Sequence, residues 1–392
     1  MKNVFFTCFV FIISVSVRCQ SYEQIHKKAI VVDTHNDFLS KSVENKVSFD
    51  ENLKGKTQSD LQRIFDGGVD VQVFSIFCDD RHGRGTAFKY ANLEIDSLYA
   101  VAKRNPNRME IVSTPAEVMQ AVKKNKLAAM MGVEGGHMIE DDLDNLDSLF
   151  RRGVRYMTLT WNNSTSWASS ARDETSHAFI VSPYGLTGFG KQVVKRMNEL
   201  GMMIDISHVG EQTFWDVIHN TTKPIIASHS SVYALCPVFR NLKDDQIKAI
   251  AKNGGVIQIN FYSGFLDSNY IKRQKAFMEK YKTEYDSLRA IRLPEYSINE
   301  FFAEKYPQEA GALRPPLSML IDHIDHIVKL VGVDYVGLGS DFDGIESAPQ
   351  GLDGVEDFPL ITKALLARGY SVKDIDKILG GNFLRVFKAN SK

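Results

Sequence analysis

The chain has 392 residues, 44% hydrophobic and 24% charged, with a formal net charge of -1. That balance is ordinary for a globular protein and supplies neither the basic field that nucleic acid requires nor an acidic tail. Four cysteines in this length do not make a disulfide scaffold, so stability is expected to come from the core.

Residues 1–19 read as a secretory signal peptide. Lys2 gives a basic start, Val4 to Val17 an apolar core, and Cys19 a cut site. The core is about 14 residues, whereas a spanning helix needs roughly 20. Arg18 disfavours the alternative in which Cys19 carries a lipid, because a small residue is wanted there. The polar end from Arg385 to Lys392 offers no hydrophobic tail for a lipid anchor. Residues 20–392 are then expected as one exported domain without a transmembrane span, in which only Cys78 and Cys236 remain.

Short apolar runs follow at Ala29 to Val32, Val69 to Phe77, Leu127 to Val133 and Val154 to Thr160. Four more lie at Met202 to Ile206, Pro224 to Ala227, Gly255 to Phe261 and Tyr335 to Leu338. They are rich in Val, Ile and Met and do not alternate, as strands buried on both faces require. Helical patterns at Leu93 to Lys103, Pro115 to Lys124, Gly188 to Leu200, Lys243 to Lys252 and Leu317 to Leu330 lie between them. Eight buried strands with crossover helices predict an α/β fold, a (β/α)8 TIM-type barrel, with an open doubly wound sheet as its competitor. Ser263 to Pro316, rich in charges and aromatics, reads as a helical insertion after the seventh strand. It is either a cover for the active site or a peripheral decoration.

The ends of these runs carry the chemistry. The first leads into Asp33-Thr34-His35-Asn36-Asp37, the third into Glu134-Gly135-Gly136-His137 and the fifth into Asp205-Ile206-Ser207-His208. The sixth leads into Ser228-His229-Ser230-Ser231 and the eighth into Ser340-Asp341-Phe342-Asp343. His35 and Asp37, two apart in an extended segment, point to one side. An acid such as Glu134 at the end of an apolar strand is costly to bury unless paired or bound to metal. Each feature alone is weak, since a lone histidine is more often a packed residue. Six candidates at five strand ends on the catalytic face of a barrel predict a metal site.

Imidazole and carboxylate without thiolate suit zinc, with manganese or cobalt as substitutes. One ion would leave ligands unused. His35, Asp37 and Glu134 are expected to hold a first ion, and Glu134, His208 and His229 a second, with Asp341 left as proton carrier. Two ions about 3.5–4 Å apart can share a hydroxide and polarise the bond under attack. His323 and His326, on a helical pattern, are expected on a solvated face, and His137 is expected to support its loop.

Together these motifs resemble the membrane (renal) dipeptidase family, a branch of the metal-dependent amidohydrolase barrels, from about Ala29 to Lys388. Arg240-Asn241 and Asn260-Phe261-Tyr262 also look like the family's. The resemblance implies a two-zinc dipeptidase acting on dipeptides with free amino and carboxyl termini, including C-terminal D-residues, and suggests a homodimer. It implies that Arg240 binds the substrate carboxylate or carbonyl, and that Asp341 contacts the amino group and passes a proton to the departing amine. Tyr262 is expected near substrate on the same grounds. Better-known members carry histidine where Trp161 stands, and indole lacks an acceptor. The metals with Arg240, or Asn162 and Asn163, would then do that histidine's work. Cysteines that pair with the Cys78 and Cys236 positions in mammalian members have no counterparts, so both are expected as free thiols. Another small-molecule amidohydrolase would share the metal site without needing Arg240. A non-catalytic binding protein would draw its support from Trp161 alone.

Overall fold

The computed structural model describes residues 20–176 and 182–392, and the expected signal peptide lies outside them. The apolar runs become strands β1 Val32–Asn36, β2 Val71–Phe77, β3 Met109–Ile111, β4 Leu127–Glu134 and β5 Val154–Thr158. β6 Met203–Asp205, β7 Ile226–Ala227, β8 Val256–Ile259 and β9 Val336–Leu338 complete the set. Eight run parallel in the order β1-β2-β4-β5-β6-β7-β8-β9, while β3 pairs with β4 off this path. The sheet curls back on itself. Asn36 bridges Phe342, the Asp37 amide donates to the Phe342 carbonyl at 2.9 Å, and the Asp341 amide donates to His35 at 3.1 Å. This sequential, nearly closed order is the (β/α)8 barrel, and the open sheet is set aside. The short β3 was not expected, because three residues carry too little pattern to separate strand from loop.

Burial explains the lack of alternation. All eight residues of β4 are buried, since the inner face meets the barrel interior and the outer face meets helices. The interior is filled by Val32, Val71, Val73, Met130, Tyr156 and Ile226, packed with Phe383 and Phe387 from the last helix, Asn382–Asn390. The helices follow their local signals. Pro115–Lys123 starts from a Thr114–Glu117 capping box. Gly188–Leu200 is capped by the Thr187 side chain and stopped at Gly201, whose φ of 84° suits glycine.

The insertion is helical, as expected, with helices Ser263–Leu266, Tyr270–Lys280, Lys282–Ala290, Glu295–Lys305 and Pro307–Leu313. It has a small core of its own, Phe277, Met278, Ile298 and Phe302. It also reaches across to the segments that follow β1 and β2. Lys41 pairs with Glu300 at 2.5 Å, and the Tyr296 hydroxyl donates to Asp79 at 3.1 Å. Among the described residues, no helix is long and apolar enough to cross a membrane.

One expectation fails. His323 does not lie on a solvated face but is buried, with Nδ1 accepting from the Val232 amide and Nε2 donating to the Leu266 carbonyl, each at 3.0 Å. Helical periodicity marked it as polar, but could not show that a loop and the end of a short helix fold over it. His326 pairs with Asp244 at 2.7 Å nearer the surface. Cys78 and Cys236 are buried free thiols.

Candidate metal centre

The barrel brings five strand ends and one helix N-cap position to a single point. His35 lies inside β1, fully buried, and Asp37 caps the helix Phe38–Asn45 that follows. Asp37 has already left the strand (φ -94°, ψ 19°), yet its Oδ2 still comes within 3.5 Å of His35 Nε2. Glu134 closes β4, and His208 and His229 follow β6 and β7. Asp341 follows β9 and approaches His35 Nε2 to 3.9 Å. His208 and Asp341 both take left-handed backbone, φ 64° and 63°. For residues other than glycine this costs about 1–3 kcal/mol each, strain that tends to collect at working sites. Gly344 supplies the remaining room, because a Cβ there would stand 2.1 Å from Asp37 Oδ2.

Glu134 sits at the middle. Its Oε2 faces His35 Nε2 at 3.2 Å, while its Oε1 faces His208 Nε2 at 2.8 Å and His229 Nε2 at 3.4 Å. The two carboxylate oxygens thus serve two groups of side chains. Among the described residues these form overlapping clusters able to hold a metal ion: His35, Asp37, Glu134; Glu134, His208, His229; and His35, His229, Asp341.

The electrostatics fit a cation. Burial opposes ionisation of Glu134, but the His35 charge, followed by the facing His208 and His229 imidazoles, holds its carboxyl well below the usual range. Burial also opposes a charge on His35, yet Tyr156, Asp37 and Glu134 raise its imidazole well above the ordinary value. Burial and then Arg240 push His208 down to about 4. Burial and then His35 push His229 well down too. Asp341 is raised well above the carboxylate range by burial and by neighbouring Asp37. The site therefore favours positive charge beside His35 and keeps two imidazoles neutral, the form that ligates. His208 and His229 present their Nε2 atoms 3.0 Å apart, where two lone pairs repel unless a proton or cation faces them. Asp37 Oδ1 is buried without a partner, a second sign of an acceptor awaiting a charge.

The other expected site residues ring this cluster. Arg240 is buried behind His229, donating to its carbonyl at 3.1 Å and to Ser230 Oγ at 3.3 Å. Its Nε has no partner, and its guanidinium lies 5.3 Å from the Phe265 ring. Burial lowers its pKa to about 10, which leaves it a cation at neutral pH. Trp161, half-buried, stands 6.5 Å from the His208 ring and 5.1 Å from Phe77. Tyr262 is set apart from the carboxylates, its hydroxyl taken up by Glu346 at 3.1 Å and its ring packed on Phe265 and Tyr270. His137 supports its loop by donating to the Cys78 carbonyl at 2.9 Å.

Sequence reasoning missed Tyr156 behind the cluster, and it quoted Asp205, Ser228 and Asn260 within motifs without giving them a role; Asn260 donates to Asp341 Oδ2 at 2.8 Å. Tyr156 reads as one more aromatic in a core strand. Asp205, Ser228 and Asn260, polar beside apolar runs, left a signal that could have been followed.

The sequence matches the membrane dipeptidase family, peptidase family M19, over residues 19–392. The chain belongs to this family. Within the membrane dipeptidases it is 32% identical over 363 residues to dipeptidase 3 of Mus musculus, covering 91% of this chain and 64% of the mouse protein. It thus spans less than two thirds of that relative's length. To an uncharacterized dipeptidase of Schizosaccharomyces pombe it is 33% identical over 386 residues, covering 94% of this chain and 82% of the relative. A solved structure described as a dipeptidase and metallopeptidase of family M19 superposes with a TM-score of 0.76 at 25% identity. That match covers 92% of this chain and 98% of the other.

Proposed function

We propose that this membrane dipeptidase family member is a two-zinc dipeptidase that hydrolyses dipeptides with free amino and carboxyl termini, C-terminal D-residues included. The observation that carries the reading is the division of Glu134, with His35 at one carboxylate oxygen and His208 and His229 at the other. In this reading His35, Asp37 and Glu134 hold one ion, and Glu134, His208 and His229 hold the second. Bound zinc supplies an activated water and polarises the peptide carbonyl.

The chain's own groups supply the rest. Arg240 keeps an unpaired Nε and stays cationic, so it can pair with the substrate α-carboxylate beside the cluster. Asp341, steadied by Asn260, contacts the substrate amino group and delivers a proton to the departing nitrogen. Trp161 and Phe77 form an apolar wall on the His208 side, where an indole can pack against substrate but cannot exchange a proton. Tyr262 flanks the carboxylate end through Phe265, the ring that also lies beside Arg240. Residues 1–19 are a signal peptide and residues 20–392 the exported enzyme, which N-terminal sequencing of the secreted product tests.

The deciding experiment is amino-acid release from a panel by mature protein supplied with zinc. The panel holds dipeptides with L- or D-residues at the C-terminus, their carboxyl-amidated forms and one tripeptide. Cleavage of free dipeptides alone is expected; cleavage of amidated or longer substrates removes Arg240 from its role. Trp161→His is expected to change selectivity across the panel, and an unchanged profile would separate the wall from specificity.

A further inference from the structure

Each of the three imidazoles turns Nε2 toward Glu134 and Nδ1 away from it, and each Nδ1 meets an oxygen. His35 Nδ1 lies 2.8 Å from the Tyr156 hydroxyl, His208 Nδ1 3.1 Å from Asn162 Oδ1, and His229 Nδ1 2.7 Å from Ser228 Oγ. An imidazole ligates through a ring nitrogen only if that nitrogen carries a lone pair, so the hydrogen must be held on the other. Building on the two-ion reading, we propose that Tyr156 and Asn162 are positioning residues, one for each ion position, that lock His35 and His208 with Nε2 bare.

For Tyr156 the direction of the hydrogen bond follows from its second partner. The hydroxyl donates to the Thr34 carbonyl at 3.0 Å, which uses its one hydrogen, so it accepts from His35 Nδ1–H. The side chain is fully buried among apolar residues, where phenylalanine would fill nearly the same volume without a hydroxyl to satisfy. The path of the ring is also prepared. A Cβ at position 132 would lie 2.1 Å from Tyr156 Cζ, so Gly132 on the neighbouring strand is what lets the phenol cross to His35.

Asn162 solves the same problem on a loop. His208 has left the regular strand for φ 64°, so no ladder sets the direction of its ring. Its backbone is pinned instead, the carbonyl accepting from the Ala171 amide at 2.8 Å and from Thr160 Oγ1 at 3.2 Å. Asn162 is fixed in turn by Ser170 Oγ, which donates to its carbonyl at 2.7 Å. From that anchored backbone the side-chain oxygen reaches His208 Nδ1 and receives its hydrogen. The two devices do not touch the same ion. His35 belongs to the group with Asp37 and Glu134, and His208 to the group with Glu134 and His229. His229 is served separately, because Ser228 Oγ donates to Asp205 at 2.6 Å and so accepts from the ring.

The test is metal affinity. Metal-stripped mature protein is titrated with cobalt, followed by visible absorption, and with zinc in competition with a chelator. Wild type is expected to take two ions. Tyr156→Phe should weaken one of them by about tenfold or more and leave the other, and Asn162→Ala should weaken the other by a similar factor. The double variant should then be weak at both positions, and Asn162→Asp, which keeps the acceptor, should recover wild-type affinity. Equal unfolding temperatures of the stripped proteins separate positioning from folding. If Tyr156→Phe fails to fold, the Asn162→Ala and Asn162→Asp pair still decides. Wild-type affinities in both single variants, or weakening of the same ion by both, would overturn the proposal. A wild type that takes one ion overturns the two-ion reading itself.

Discussion

The strand-end cluster and the helical insertion are both rich in charged side chains, and they use charge in opposite ways. At the cluster, Glu134, Asp37, His35, His208 and His229 are buried at the mouth of a nearly closed barrel. In the insertion, Lys280–Glu309, Lys282–Asp286 and Lys305–Glu284 are ion pairs between side chains open to water. Removing a charge from water costs several kcal/mol unless another charge answers it, whereas an exposed pair contributes about 0–1 kcal/mol. The first region therefore stores a demand for cations, and the second is held mainly by Phe277, Ile298 and Phe302. Charge density alone does not mark a site; burial at a strand end does.

Four variants would break or sharpen that contrast. His208→Ala should empty one ion position and abolish turnover, read by metal analysis beside dipeptide hydrolysis. Full metal content in that variant would remove His208 from the cluster's work. Asp341→Asn should keep both ions and lower kcat by about 10²–10⁴-fold, the usual worth of a placed proton carrier. Loss of an ion instead would make Asp341 a ligand, which its 3.9 Å approach to His35 allows to be asked. In the insertion, Phe302→Ala should cost about 3–5 kcal/mol by opening its small core. Hydrogen exchange should localise that loss to residues 263–316, with metal content unchanged. Last, Lys41→Ala breaks the pair with Glu300 that ties the insertion to the segment after β1. It should cost about 1 kcal/mol or less, measured by denaturant unfolding, and raised salt should shrink the difference further.

Much of this was legible beforehand because buried parallel strands leave continuous apolar runs, and a polar residue that ends such a run stands out. His35, Asp37, Glu134, His208, His229 and Asp341 were found in that way, and the barrel brings all six together. His323 shows where local pattern stops carrying information. On its helix it stands beside Asp322 and close to Asp325 and His326, but the Val232 loop and the Leu266 helix end that bury it come from 91 and 57 residues away. Tyr156 was illegible for the same reason, and Asn162, named only as a stand-in for an absent histidine, could not be tied to His208, since the partners His35 and His208 lie 121 and 46 residues away.

By itself, then, the sequence determined the strands, the ends at which chemistry could sit, and the residue types gathered there, because periodicity and composition are local properties. Which oxygen of Glu134 faces which imidazole was decided only when Asn36 met Phe342 and the barrel curled shut. So was the oxygen that each Nδ1 meets. Those are questions of distance between segments far apart in the chain, and only packing sets such distances.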